Sequence, residues 1–426
     1  MSPSSVVAAR AGHVQEVVSP GGLRAYLIHE PSLPIISLVA HIGGGAALDP
    51  PGQAGLANMM ACLLDEGAGE LDSQTFRQAL EDDAIRLEIE AHRDSLSVEL
   101  RTLTANSGQA WALLRLALTA PRFDEEPVER VRGQLTASLR RRSTDPEYVA
   151  SRSWREEAFA GHPYASPVQG SLDSIAGIDT AALRACAASR LNRDRLSIGV
   201  SGDIDPATLA RVLDEVFGDL PSGIARAELP AVQPAAGRVR VVPMPIPQSV
   251  VRFGHAGIAR HDPDHYAAHV ANYILGGGGF SSRLLEEIRE KRGLAYSVYS
   301  YLEDSELSPL WIGGLATRNE QVALSLELLR AELAKMAAGE VDATELANAR
   351  TYLTGSFPLR LTSNDAVAKT LGGMMLWDLG IDFLDRRNGY IEAVTLEDVR
   401  RVARRLFDQP LLVTIVGDPK GIDPSS

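Results

Sequence analysis

Cysteine is almost missing from this chain of 426 residues: Cys62 and Cys186 are the only two, and neither has a C-x-x-C neighbour. A disulfide framework is therefore not expected, and cysteine usage leaves the redox compartment open. No apolar run reaches the roughly 18 to 20 residues needed to cross a bilayer. The opening stretch MSPSSVVAARAGHVQEV lacks the basic flank and apolar core of a secretory signal. Excess positive charge is absent too. The net charge is −13, which argues against nucleic acid or an anionic membrane as the main partner and weakly favours basic peptides. What remains is ordinary for soluble globular domains, at 45% hydrophobic and 23% charged. The length exceeds one ordinary core, so two or more domains are expected.

Two halves share one plan. The stretch 221–240, PSGIARAELPAVQPAAGRVR, is rich in Pro, Ala and Gly without apolar period and reads as a linker between domains at 1–220 and 241–426. Strand patterns at 23–43 and in VRVVPMPIPQSVVRFGHAG open the halves, and helices follow at 55–64 and 265–275. EIEAHRDSLSVELRTL and YSVYSYLEDSELSPLWIGGLA alternate like half-buried strands. TDPEYVASRSWREEAF is echoed by TSNDAVAKTLGGMMLW, and RLSIGVSGDID by PLLVTIVGDPK, with Gly202 and Gly417 215 residues apart. A repeat this long is too large for a solenoid and reads as a tandem duplication. Each copy is expected to be an α/β (α+β) unit, a mostly antiparallel sheet packed with helices.

Residues 276–301, GGGGFSSRLLEEIREKRGLAYSVYSY, are the richest segment. Gly276, Gly277, Gly278 and Gly279 free the main chain for a loop. Ser281 or Ser282 can cap a helix whose apolar face is Leu284, Leu285 and Ile288, and Gly293 ends it. Arg289 then falls in the last helical turn and Tyr296 at the start of a strand, so a guanidinium and a phenol can face one cavity. Arg292 lies outside that register.

SSRLLEEIREKRGLAYSVYSYL resembles the C-terminal half of the pitrilysin/insulinase family of zinc peptidases, in which such an Arg/Tyr pair completes the active site. The resemblance covers nearly the whole chain. It implies two homologous rolls enclosing a chamber, and zinc held by H-x-x-E-H in the first half with a distant glutamate. Here that helix reads GLANMMACLLDEG, so Asn58 and Cys62 stand at the histidine positions and Ala61 at that of the glutamate. The third ligand position, about 75 residues on, falls on Ser138, with Gln134 as the alternative. At most one thiolate is on offer, whereas zinc takes three or four N, S or carboxylate donors and needs a general base for its water. No metal and no hydrolysis by this chain alone are expected, and Cys62 reads as a buried small hydrophobe.

The resemblance thus implies the non-catalytic subunit of a bacterial two-subunit peptidase, similar to processing-peptidase alpha-type subunits. A heterodimeric H-x-x-E-H partner would carry the zinc. Arg289 and Tyr296 would serve catalysis, Gly276 to Gly279 would meet extended peptide substrate, and His92, Arg93, Asp94 and Ser95 fall where relatives have a substrate-binding edge strand. Bacterial relatives are often exported, which points to the periplasm for a mature chain and otherwise to the cytoplasm. The alternative is a purely structural or assembly subunit. His261, His265 and His269 recur at metal-binding spacing but lack an intervening Glu, and read as a helix start. The glycine run lacks the Lys-Ser/Thr ending of a phosphate loop.

Overall fold

The computed structural model describes residues 14–223 and 228–422. Most of the opening stretch MSPSSVVAARAGHVQEV, and linker residues 224–227, lie outside them. Two sheets organise the chain. The first comprises β1 (Val14–Val18), β2 (Arg24–His29), β3 (Ile35–Gly43), β4 (Arg86–Ala91), β5 (Ser95–Leu103) and β6 (Leu196–Gly202), in the spatial order β1-β2-β6-β3-β5-β4. The second comprises β7 (Arg238–Pro243), β8 (Gln248–Ala256), β9 (Ala295–Glu303), β10 (Leu310–Arg318) and β11 (Leu412–Gly417), in the order β7-β11-β8-β10-β9. Apart from the additional edge strand β1 the two orders are the same. Each sheet has one parallel pair, β2 with β6 and β7 with β11, and is otherwise antiparallel.

The duplication read from the repeats is therefore present in the topology. Gly202 and Gly417 end equivalent strands with φ of 134° and 151°. A Cβ on Gly202 would lie 2.1 Å from Ile35 O, and one on Gly417 2.3 Å from Ser249 Oγ. Only glycine satisfies both the angle and the close approach. Central β3, IISLVAHIG, is buried almost throughout because it is covered on both faces, hence its continuous apolar run rather than alternation.

EIEAHRDSLSVELRTL is not one strand. It is a hairpin of β4 and β5, and His92–Asp94 form its turn. Likewise YSVYSYLEDSELSPLWIGGLA contains both β9 and β10. β7 begins at Arg238, inside the stretch read as linker.

The compact units are not simply the two linear halves. Among the described residues, one is drawn from 1–139, 167–228 and 355–386, and the other from 140–166, 229–354 and 387–426. In the first unit one sheet face packs against helices of its own half through a core that includes Leu38, Leu63, Leu114 and Phe217. The helix Asn364–Leu376, from the second half of the sequence, lies on β6, where a Cβ on Gly199 would be 2.2 Å from Ala368 O. The second unit mirrors this arrangement with Pro146–Ala158, from the first half of the sequence. Its Trp154 is fully buried against Gly254 and donates from Nε1 to Leu412 O at 2.9 Å. Burying one such large side chain is worth about 1.5–3 kcal/mol.

Candidate active site

The helix His265–Asn272 continues as a wider π turn over Tyr273–Gly277. Gly276 and Gly277 are thus the end of a helix rather than a loop, and they are glycine for closeness. A Cβ on Gly276 would meet Ser300 Oγ at 2.4 Å, and one on Gly277 Asn272 Nδ2 at 2.7 Å. Gly278 packs on Tyr273, and Gly279 alone of the four takes a left-handed φ, 56°, with open space where a side chain would go.

A buried polar hub fixes this turn. Asn272 Oδ1 accepts from Trp311 Nε1 (2.8 Å) and Ser300 Oγ (2.7 Å), and its Nδ2 donates to Ser300 O (3.1 Å). The helix end is thereby tied to β9 and β10 with every partner satisfied.

Beyond Gly279 the chain projects Phe280, 72% exposed, and enters a helix at Arg283–Leu285 that widens into a second π turn over Glu286–Glu290. Gly293, at φ 60°, closes it: its N–H donates to Arg289 O, and Leu294 N–H donates to Ile288 O. β9 then begins with an irregularity. Leu315 pairs with Val298 but Thr317 with Ala295, so Tyr296 and Ser297 together face a single residue of β10. Such a bulge re-aims side chains, and Tyr296 emerges 83% exposed.

The structure brings Arg289 and Tyr296 together. The guanidinium carbon lies 5.1 Å from the Tyr296 ring centroid and 4.8 Å from that of Phe280. Cation–π contacts of this exposed kind are worth about 0.5–1 kcal/mol each. They hold the Arg289 guanidinium close to both rings. Among the described residues its N–H groups meet only Glu290 Oε1, at 3.5 Å. Pair and turn line a cleft of about 540 Å3 with Gln248, Glu290, Leu294, Thr317 and Arg318. Arg292 is taken up by Glu287, at 2.6 Å. The sequence pattern does not single out Phe280. The signal was a lone large apolar residue closing a glycine run, yet nothing in the spacing 280, 289, 296 places a ring on a guanidinium.

At the degenerate motif, the helix Leu56–Ala61 buries Leu56, Met59, Met60 and Ala61, with Cys62 as its C-terminal cap residue. Burial, then the Asp65 charge, pushes the Cys62 thiol up to about 11. Asn58 is half-buried, and Ser138 and Gln134 lie on the helix Glu125–Arg142. An amide, a methyl, a protonated thiol and a hydroxyl do not make a zinc site. Among the described residues no group of three or more His, Cys, Asp and Glu is placed to hold a metal. One turn after Cys62, Glu66 instead accepts a bidentate pair from Arg130 at 3.0 and 2.7 Å.

The other candidates are not sites of that kind. His265 Nε2 faces the Arg260 guanidinium, and burial, then that charge, lowers its pKa to about 3. A cation is thus already in place where a metal would bind. His92–Asp94 are not an edge strand, because the edge is β4. Their carbonyls accept from the N–H groups of Ala46, Ala47 and Gly44, so that backbone is already paired.

Residues 177–353, which include Arg289 and Tyr296, match the model of the peptidase M16 inactive domain. The similarity is to the M16 peptidase family. It is 29% identical to the non-peptidase homolog YmxG of Helicobacter pylori, over 84% of this chain and 82% of that one. It is also 29% identical to an uncharacterized zinc protease of Streptomyces coelicolor, over 96% and 90%. The crystal structure of a peptidase M16 inactive domain from Pseudomonas fluorescens superposes with a TM-score of 0.90 at 26% identity, covering 97% of this chain and all of the other. The chain therefore has the mixed α/β fold expected, with two helix-packed sheets. None of its described helices is long and apolar enough to cross a membrane.

Proposed function

We propose that this chain is the non-catalytic half of a heterodimeric zinc peptidase, in which an M16 partner with H-x-x-E-H holds the metal. The observation that carries the reading is Tyr296. A phenol exposed by a bulge, 5.1 Å from a guanidinium whose one ion pair among the described residues is Glu290 at 3.5 Å, is a donor without an acceptor among the described residues. Polarisation of the scissile carbonyl and delivery of water belong to the partner's zinc site. The Tyr296 hydroxyl donates to the oxyanion as it forms, and Arg289 holds substrate carbonyls. Gly279 and Phe280, the exposed part of the glycine segment, border the bound peptide, while Gly276 and Gly277 set that border against β9.

The test is co-expression with an H-x-x-E-H relative and a peptidase assay on the purified complex. Loss of one oxyanion donor removes about 2.7–4 kcal/mol of transition-state stabilisation, so Tyr296→Phe is expected to lower kcat about a hundredfold or more without changing assembly. Unchanged turnover removes the catalytic role. The second reading, an assembly subunit without part in proteolysis, is favoured by the H. pylori relative being called a non-peptidase homolog. It predicts an active complex with wild-type turnover in the Tyr296→Phe variant, or no peptidase complex at all.

A further inference from the structure

The face of the second sheet that receives the helix Pro146–Ala158 carries a cation with no counter-ion. Arg252, on β8, is only 9% exposed and makes no ion pair to any carboxylate among the described residues. A buried guanidinium left this way is costly unless something takes its charge. Its Nη1 donates to Tyr299 Oη at 2.9 Å and its Nη2 to Tyr301 Oη at 2.7 Å, while Nε has no partner.

The two phenols belong to edge strand β9, their rings 6.3 Å apart and within 13° of parallel. They reach Arg252 across β10 because the residue between them is Gly314, paired with Arg252 on one side and Tyr299 on the other. A Cβ there would lie 3.0 Å from the Tyr299 hydroxyl. The nearby carboxylates do not fill the gap. Glu303 is bound by Arg155 Nη2 at 2.6 and 2.7 Å, and Glu147 feels the Arg252 charge without a hydrogen bond to it.

Hydrogen-bond direction decides what this arrangement can bind. A guanidinium only donates, so both phenol oxygens accept from it, and each O–H is left to donate elsewhere. Neither has an acceptor among the described residues, and both residues are 36% exposed. Two polarised donors side by side, backed by one buried positive charge, suit a carboxylate. We propose that Arg252, Tyr299 and Tyr301 form a carboxylate-binding site that takes an acidic side chain or the free C-terminus of a peptide lying against β9. The chain's overall charge of −13 repels acidic ligands, so a preference for one must come from a local site.

The inference rests on the reading that this chain handles peptides, but its test needs no partner subunit and leaves Tyr296 intact. Anisotropy of three peptides with a neutral dye is measured on the lone chain: an amidated decamer of Glu and Ser, its Gln counterpart, and the Gln peptide with a free C-terminal carboxylate. At least one carboxylate peptide is expected to bind about tenfold more tightly than the amidated Gln peptide, equivalent to one charge-assisted hydrogen bond. Which one does so identifies the source of the carboxylate. Tyr299→Phe with Tyr301→Phe keeps both rings and is expected to erase the preference. Each single variant, with Arg252 still held by one phenol, is expected to weaken it, and a cooperative thermal melt checks that the variant is folded. Equal binding of all three peptides, no binding, or a preference that survives in the double variant overturns the site.

Discussion

Replacing Asn272 by alanine takes a partner from three buried groups at once: Trp311 Nε1–H, Ser300 Oγ–H and Ser300 O. Each orphaned group costs about 1–3 kcal/mol. Rotation of the Ser300 hydroxyl recovers part of this, so a loss of about 3–6 kcal/mol is expected, a large share of the roughly 5–15 kcal/mol that holds a domain together. Equilibrium urea unfolding followed by tryptophan fluorescence measures it. The same change should reach the cleft. Gly276 is seated against Ser300, so amide hydrogen exchange across 276–280 should accelerate. Because the groups share one hub, Asn272→Ala with Ser300→Ala should cost about 1 kcal/mol or more less than the sum of the single changes. A loss below about 1 kcal/mol in Asn272→Ala, with exchange unchanged, would refute the view that this hub positions the site.

Gly276→Ala places a methyl group 2.4 Å from Ser300 Oγ and is expected to cost about 1–3 kcal/mol by overpacking. Gly279→Ala meets open space and pays only for its left-handed φ, about 1–2 kcal/mol; thermal melts separate the two. Burial holds the pKa of His255 at about 4 and that of His265 at about 3. Between those values and the unfolded value near 6.5 the unfolded chain binds more protons than the folded one. Stability should therefore fall on acidification from about pH 6.5, by up to about 1.4 kcal/mol per pH unit for each histidine. His255→Gln is expected to flatten the slope in pH-dependent urea titrations. Cys62, raised to about 11, should react with iodoacetamide at pH 8 at least tenfold more slowly than a free thiol.

The repeated architecture was legible because glycines with special angles and apolar strand runs leave marks one residue wide. Gly202 and Gly417 alone nearly align the two sheets. The Arg289/Tyr296 pairing was legible for a similar reason, since a helix end, Gly293 and a strand start fix how the chain returns. The bulge was not, because AYSVYSY alternates well enough to hide two consecutive exposed residues. Nor were the π turns, which keep the apolar spacing of an ordinary helix while shifting Arg289 in azimuth. Arg252 reads in sequence as one polar residue in SVVRFGHA. Its phenol partners lie two strands away, and only the pairing across Gly314 brings them together.

The exchange of helices has a consequence for biosynthesis. The first sheet is capped by residues 364–376, so its amino-terminal strands wait through most of translation with one face bare. The second sheet is served early, since residues 146–158 precede all of its strands. Nascent chains paused before residue 364 should therefore be the ones that recruit chaperones, and a gene cut at the linker should yield two fragments that are insoluble apart and rescue each other when co-produced.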